Sequence, residues 1–71
     1  MEKLLTPEQA WQDFLQHVFP GIQDRKSRLD IHRAVSHSRR GLLGHGRIKR
    51  ILTDYAPDRY RFEERVFLIE P

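Results

Sequence analysis

The stretch "DRYRFEERVFLIEP" (58–71) decides the fold class. Upstream of it apolar residues recur at helical spacing. Here Tyr60, Phe62, Val66 and Leu68 alternate on one face while Phe67 and Ile69 add apolar groups to the other, so residues 59–69 read as extended backbone. A single strand and a hairpin turning near Glu63 and Glu64 both satisfy this pattern, and the lack of Asn-Gly or Asp-Gly favours the single strand. A lone strand needs a partner, and no other strand is evident upstream. Pairing with the same segment of a second copy would satisfy its backbone, which predicts a homodimer through residues 59–69.

Three helices precede this tail. The first is expected over about 6–19: Thr6 is a natural N-cap, Pro7 suits the first helical position and Gln9 completes a Thr-x-x-Gln capping box. Trp11, Phe14, Leu15 and Val18 then form one apolar stripe, and Pro20 and Gly21 stop it. The second is expected over about 27–40, started by Ser27 and Asp30 and stopped by Gly41, with Ile31, Ala34 and Val35 as its narrow apolar side. The third is expected over about 47–56, where Ile48, Ile51, Leu52 and Tyr55 share a face and Pro57 closes it. The fold class is therefore α+β, mostly helical: one small domain of three short helices followed by a C-terminal strand or hairpin.

Seventy-one residues bury only roughly 60% of the surface that the unfolded chain exposes, so stability is thin. There is no cysteine, which excludes a disulfide framework and a thiolate metal site. The apolar runs are too short to span a bilayer, and "MEKLLTPEQAW" lacks the basic start and long apolar core of a signal peptide. A cytoplasmic location is the expectation.

Charge carries the functional information. Residues 1–24 have a net charge of −3 and residues 51–71 a net of −2, whereas residues 25–50 hold nine Lys and Arg against Asp30 alone, a net of +8. Such segregation costs stability through self-repulsion and points to an anionic partner. On the second helix Lys26, Arg33, His37 and Arg40 recur on one side. Beyond it, "RRGLLGHGRIKR" (39–50) has one structural reading and one chemical one. Structurally, Gly41 caps a helix, Leu42 and Leu43 plug the core, and Gly44 or Gly46 lets the chain turn. Chemically, the loop amides of Gly44 and Gly46 and the start of the third helix form an anion-binding concavity, ringed by Arg39, Arg40, Arg47, Lys49 and Arg50. It is not a nucleotide-triphosphate loop, because Arg47 and Ile48 stand where Lys and Ser or Thr are needed.

The order helix, Gly41-x-x-Gly44, helix, strand, with "IKRI" after it, resembles the core of the KH family of RNA-binding domains over about thirty residues. That resemblance implies a loop that clamps a nucleic-acid backbone. The spacing departs from the family pattern by about one residue, and a helix stands in place of the first strand. Three helices followed by β structure is also the order of a winged-helix DNA binder.

No enzyme signature is present. His17, His32, His37 and His45 lack the i, i+4 spacing that aligns two metal ligands, and no catalytic residue, metal or cofactor is assigned. Tyr60 and Phe62 beside Arg59 and Arg61 read as a packed strand face before they read as base-stacking platforms. The expectation is a nucleic-acid-binding protein of regulatory type, DNA favoured over RNA, that grips phosphates with Lys26, Arg33, Arg39, Arg40, Gly44, Gly46, Arg47, Lys49 and Arg50. Five neutralised phosphates would give a salt slope near roughly −4.5 on duplex DNA. The competing expectation is a protein-interaction module, an accessory factor or inhibitor of phage or plasmid type, docking its basic block on an acidic partner.

Overall fold

The computed structural model describes residues 3–63 and 66–69. In chain order these form β1 (Lys3–Leu5), α1 (Pro7–His17), a 3-10 turn at Phe19–Gly21, α2 (Arg25–Arg39), α3 (His45–Tyr55), β2 (Arg61–Glu63) and β3 (Val66–Ile69). The architecture is α+β and mostly helical, with one antiparallel sheet in the order β1-β3-β2.

The tail is a hairpin. Arg61 lies opposite Leu68, Phe62 opposite Phe67, and Glu63 opposite Val66; Glu64, named with Glu63 as the turn, lies outside the described residues. The strand missing from the sequence reading is at the other end of the chain, where Leu4 pairs with Leu68 and Leu5 with Phe67. Three residues are too few to display a period of two, which is why β1 escapes pattern reading. With β3 paired on both sides, its backbone no longer requires a second copy of the chain.

The core lies between the sheet and the helices. Leu5, Phe67 and Ile69 meet Ala10, Trp11 and Phe14 of α1 and Ile48, Ile51 and Leu52 of α3, and α2 adds Ile31 and Ala34. Trp11 and Phe14 stack at 5.6 Å between ring centroids, and Phe62 and Phe67 meet at 5.0 Å across the hairpin. Tyr60 is buried, so its ring is core rather than a base-stacking platform.

The helix ends follow local chemistry. Thr6 Oγ1 accepts from the Gln9 amide at 3.2 Å and Gln9 Oε1 accepts from the Thr6 amide at 3.0 Å, closing the expected capping box. Helix α1 ends at His17, two residues before the expected stop, because Phe19–Pro20–Gly21 tightens into its own turn. Helix α2 begins two residues earlier than expected: Asp24, not Ser27, is its N-cap, accepting from the Ser27 amide at 2.9 Å and the Ser27 hydroxyl at 2.8 Å. Those hydrogen bonds hold the Asp24 carboxyl below the ordinary carboxylate range.

At its C-terminus, Gly41 adopts φ +71°, and the Leu42 amide reaches the His37 carbonyl at 2.8 Å while the Gly41 amide reaches Ser38 at 3.0 Å. This is a Schellman stop, which needs a residue free to take a left-handed φ. The chain leaves it with Leu42 turned to solvent, 63% exposed; only Leu43 packs on the core, which corrects the expectation that both leucines plug it.

One polar clasp fixes the hairpin to α1. Arg59 donates to Asp13 through Nε at 3.0 Å and Nη2 at 3.1 Å, and the Tyr60 hydroxyl donates to the same carboxylate. Burial works against ionisation of Asp13, but the bonds from Arg59 and Tyr60 outweigh it and hold the carboxyl below its usual value. Burial, reinforced by the bond to Asp13, pushes the Tyr60 hydroxyl well up.

Candidate nucleic-acid interface

Helix α2 turns Ile31 and Ala34 inward, so the opposite side of the same helix faces solvent. That side carries Lys26, Leu29, Arg33 and Ser36, continued past the helix end by Arg40, and all five are exposed. Among the described residues, no acid pairs with Lys26, Arg33, Arg39 or Arg40. Arg25, also exposed, adds a cation at the first turn. The inner flank of the helix is tied down by Arg28, whose Nη1 donates to the Ile22 carbonyl at 2.8 Å and whose guanidinium lies 4.6 Å from the Phe19 ring centroid. That cation supports structure rather than a surface patch.

Arg39 separates from the stripe. It lines a groove of about 510 Å³ with Leu15, Phe19, His32, Val35 and Ser36, between the end of α1 and α2. The sequence places it beside Arg40, but a helix turns 100° per residue, which carries Arg39 round to the groove, where it meets the stripe only at Ser36.

Helix α3 begins at His45 with Gly44 as N-cap, two residues before the expected start. Only Arg47 therefore sits in its first turn, and Lys49 and Arg50 lie farther in, where the opposing macrodipole fades. Each of the three has a partner inside the molecule. Arg47 Nη1 lies 2.5 Å from His37 Nδ1. A guanidinium only donates, so that nitrogen of His37 accepts. Lys49 Nζ sits 4.4 Å above the Phe62 ring and covers the hairpin. Arg50 pairs with Asp54 at 3.2 Å and with Asp30 at 3.6 Å, and Asp30 also accepts from the Tyr55 hydroxyl at 3.1 Å. Burial, with the bond to Asp30 adding to it, pushes the Tyr55 hydroxyl above its ordinary value.

The α2–α3 seam thus consists of the pairs His37–Arg47 and Asp30–Arg50. It holds Arg47, half-buried but positive, against His37, the residue four after Arg33, and it neutralises Arg50. Gly44 and Gly46 are exposed, with open space where a Cβ would stand. Beside them, His45 Nε2 lies 2.6 Å from Glu8 Oε1, so α1 already places a carboxylate at the first residue of α3, where an external anion was expected. The bond to His45 holds the Glu8 carboxyl below its usual value.

The nine expected contacts therefore divide. Lys26, Arg33 and Arg40 share one side of α2, which Arg47 adjoins through His37; Arg39, Lys49 and Arg50 are turned elsewhere or paired; Gly44 and Gly46 lie beside the Glu8–His45 pair. Sequence reading missed Leu29 and Ser36, which share the outer face with the cations and were detectable from their spacing of four and seven residues around Arg33 and Leu29. The chain matches no family model, no curated protein and no solved structure.

Proposed function

We propose that this protein binds duplex DNA through the outer side of α2 and the adjoining α2–α3 seam, neutralising phosphates with Lys26, Arg33, Arg40 and Arg47. The observation that carries this reading is the exposed side of α2 and its C-cap, where three cations, Lys26, Arg33 and Arg40, recur every seventh residue without an acidic partner among the described residues. A straight helical row of unpaired cations costs folding energy and suits a linear polyanion, whose counterions it displaces. DNA is preferred over RNA because a helix with one exposed face suits the wide major groove of B-form DNA, whereas the deep, narrow major groove of A-form RNA excludes it.

Titration of labelled duplex DNA, single-stranded DNA and structured RNA across a salt series tests this. Four neutralised phosphates predict a slope of log K against log salt near −3.6, roughly 0.9 for each. This is shallower than five contacts would give, because Arg39 and Arg50 do not join the stripe. No duplex binding at low salt, or binding independent of salt, refutes the assignment.

A second reading has its own observation. The groove between α1 and α2 has an apolar floor of Leu15, Phe19 and Val35 and a basic rim of Arg39 and His32, which suits an acidic amphipathic segment of a partner protein. Retention of one acidic protein together with no nucleic-acid binding would favour that reading.

A further inference from the structure

On the duplex-binding reading, we infer that α2 itself reads sequence in the major groove, through the row Leu29, Arg33 and Ser36, with Arg33 leaving the phosphate it neutralises on non-specific duplex for a guanine edge, and that the preferred element contains that guanine beside a thymine. The inference deepens the proposed function from phosphate affinity to base recognition, and it assigns the reading to α2 rather than to α3.

Three features of the surface support it. First, Leu29, Arg33 and Ser36 stand at i, i+4 and i+7, so they form one ridge on the side of α2 opposite the buried Ile31 and Ala34. The ridge is flanked by Lys26 before it and Arg40 after it. Cations at the ends and base-sized contacts in the middle match the division between phosphate positioning and base readout. The ridge spans about 10 Å of helix axis, the rise of roughly three base pairs.

Second, the three side chains are of the kinds that distinguish base edges. Arg33 has an exposed guanidinium with no acid holding it among the described residues, and its fork matches the O6 and N7 acceptors of guanine. Leu29 is 52% exposed, an apolar group set among Arg25, Lys26 and Arg33 where a solvated helix face would carry a polar residue. Contact with the C5-methyl of thymine would bury it. Ser36 can donate or accept.

Third, α3 does not offer an equivalent ridge. Its cations are held by His37, by Asp30 and Asp54, and by the Phe62 ring, so using them to read bases would first break internal contacts.

The experiment is selection from a random duplex pool with the wild-type protein and with Arg33→Lys and Leu29→Ala. Both substitutions lie on an exposed face and leave the core untouched; far-UV circular dichroism checks their folds. Wild type should enrich a short element of about three to four base pairs with a fixed guanine. Arg33→Lys keeps the charge and loses the fork, so discrimination at the guanine should fall by about tenfold or more while the salt slope stays unchanged. Leu29→Ala should relax the neighbouring thymine alone.

If wild type binds duplex in a salt-dependent way and enriches no element, the inference is overturned while the proposed function stands. If an element is enriched and neither variant alters it, another part of the protein reads it and the inference is again overturned. If no duplex binds at any salt concentration, both readings fall.

Discussion

Asp13→Ala should destabilise this protein more than truncation of any other polar side chain on α1. The carboxylate is 16% exposed and receives three hydrogen bonds, two from Arg59 and one from Tyr60. Arg59 is 40% exposed, so its released guanidinium is rehydrated and the lost ion pair counts for about 0.5 kcal/mol. Tyr60 is 6% exposed, and its stranded hydroxyl costs about 1–3 kcal/mol. Alanine returns roughly 0.5 kcal/mol through its better helix propensity. The net loss is about 2 kcal/mol, which for a domain of this size lowers the melting temperature by roughly 8–16 °C.

Thermal denaturation followed at 222 nm measures it, and a second substitution tests the cause. In the Asp13→Ala background, Tyr60→Phe removes a donor that already lacks its acceptor, so it should be neutral or stabilising, whereas in the wild type it costs about 1 kcal/mol. The folded-state titration of Asp13 lies below its ordinary value of 3.8, so its contribution is complete above that value and is lost as pH falls through the lowered one. The Asp13→Ala deficit should therefore shrink in acid. Equal cost of Tyr60→Phe in the two backgrounds would refute the clasp.

Gly41→Ala should cost about 1–2 kcal/mol through the left-handed φ alone, since no atom lies within 4 Å of the added carbon, and Gly41→Asn should cost less; chemical denaturation ranks the two. Glu8→Gln should flatten the acid limb of the stability profile: the bond to His45 lowers the Glu8 titration, so this stability is present above the ordinary carboxylate value of 4.5 and lost as pH falls through the lowered one. Comparing melting temperatures of variant and wild type from pH 7 downward checks the sign. Arg40→Ala should make the duplex salt slope shallower by about 0.9, whereas Arg39→Ala, on the groove side of α2, should leave it unchanged. Equal effects of the two would show that the cations of α2 do not divide as its helical phase requires.

The helices were legible because their signals are local. Thr6 to Gln9 is a capping box whether or not the rest of the protein is known, and Gly41 stops α2 by backbone geometry that the neighbouring sequence announces. The missed features all join residues far apart in the chain. Nothing near Lys3–Leu5 marks a strand; it becomes one because β3, more than sixty residues on, offers an unpaired edge. The hairpin was obscured for a related reason, since cross-strand contacts such as Phe62 with Phe67 hold it without a tight-turn dipeptide.

The candidate site was legible in its helical phase and not in its pairing. Periodicity put Lys26, Arg33 and Arg40 on one side, but no periodicity reveals that Asp30 turns toward Tyr55 and Arg50, or that Lys49 lies over an aromatic ring in the hairpin.

Those pairings explain why the positive charge is tolerated at all. Helix α2 contributes only Ile31 and Ala34 as fully buried side chains, and much of its remaining attachment is polar: Arg28 to the Ile22 carbonyl, Asp30 to Tyr55 and Arg50, His37 to Arg47. Arg28 and Arg50 are spent in such ties, Arg47 is tied only to an imidazole nitrogen and no ion pair neutralises it among the described residues, and every cation left on the outer stripe repels its neighbours. A fold selected for stability alone would place acids between Lys26, Arg33 and Arg40, where i, i+4 pairs are each worth about 0.2–0.5 kcal/mol. Asp30, four residues after Lys26, turns instead to Tyr55 and Arg50, and Leu29 and Ser36 occupy the outer positions between the cations. Under the proposed function the repulsion is removed by the ligand: at a free duplex concentration one hundred times the dissociation constant, binding adds about 2.7 kcal/mol to the folded state. That exceeds what several surface pairs could supply, so the bare stripe is consistent with a helix whose stability is completed by a polyanion.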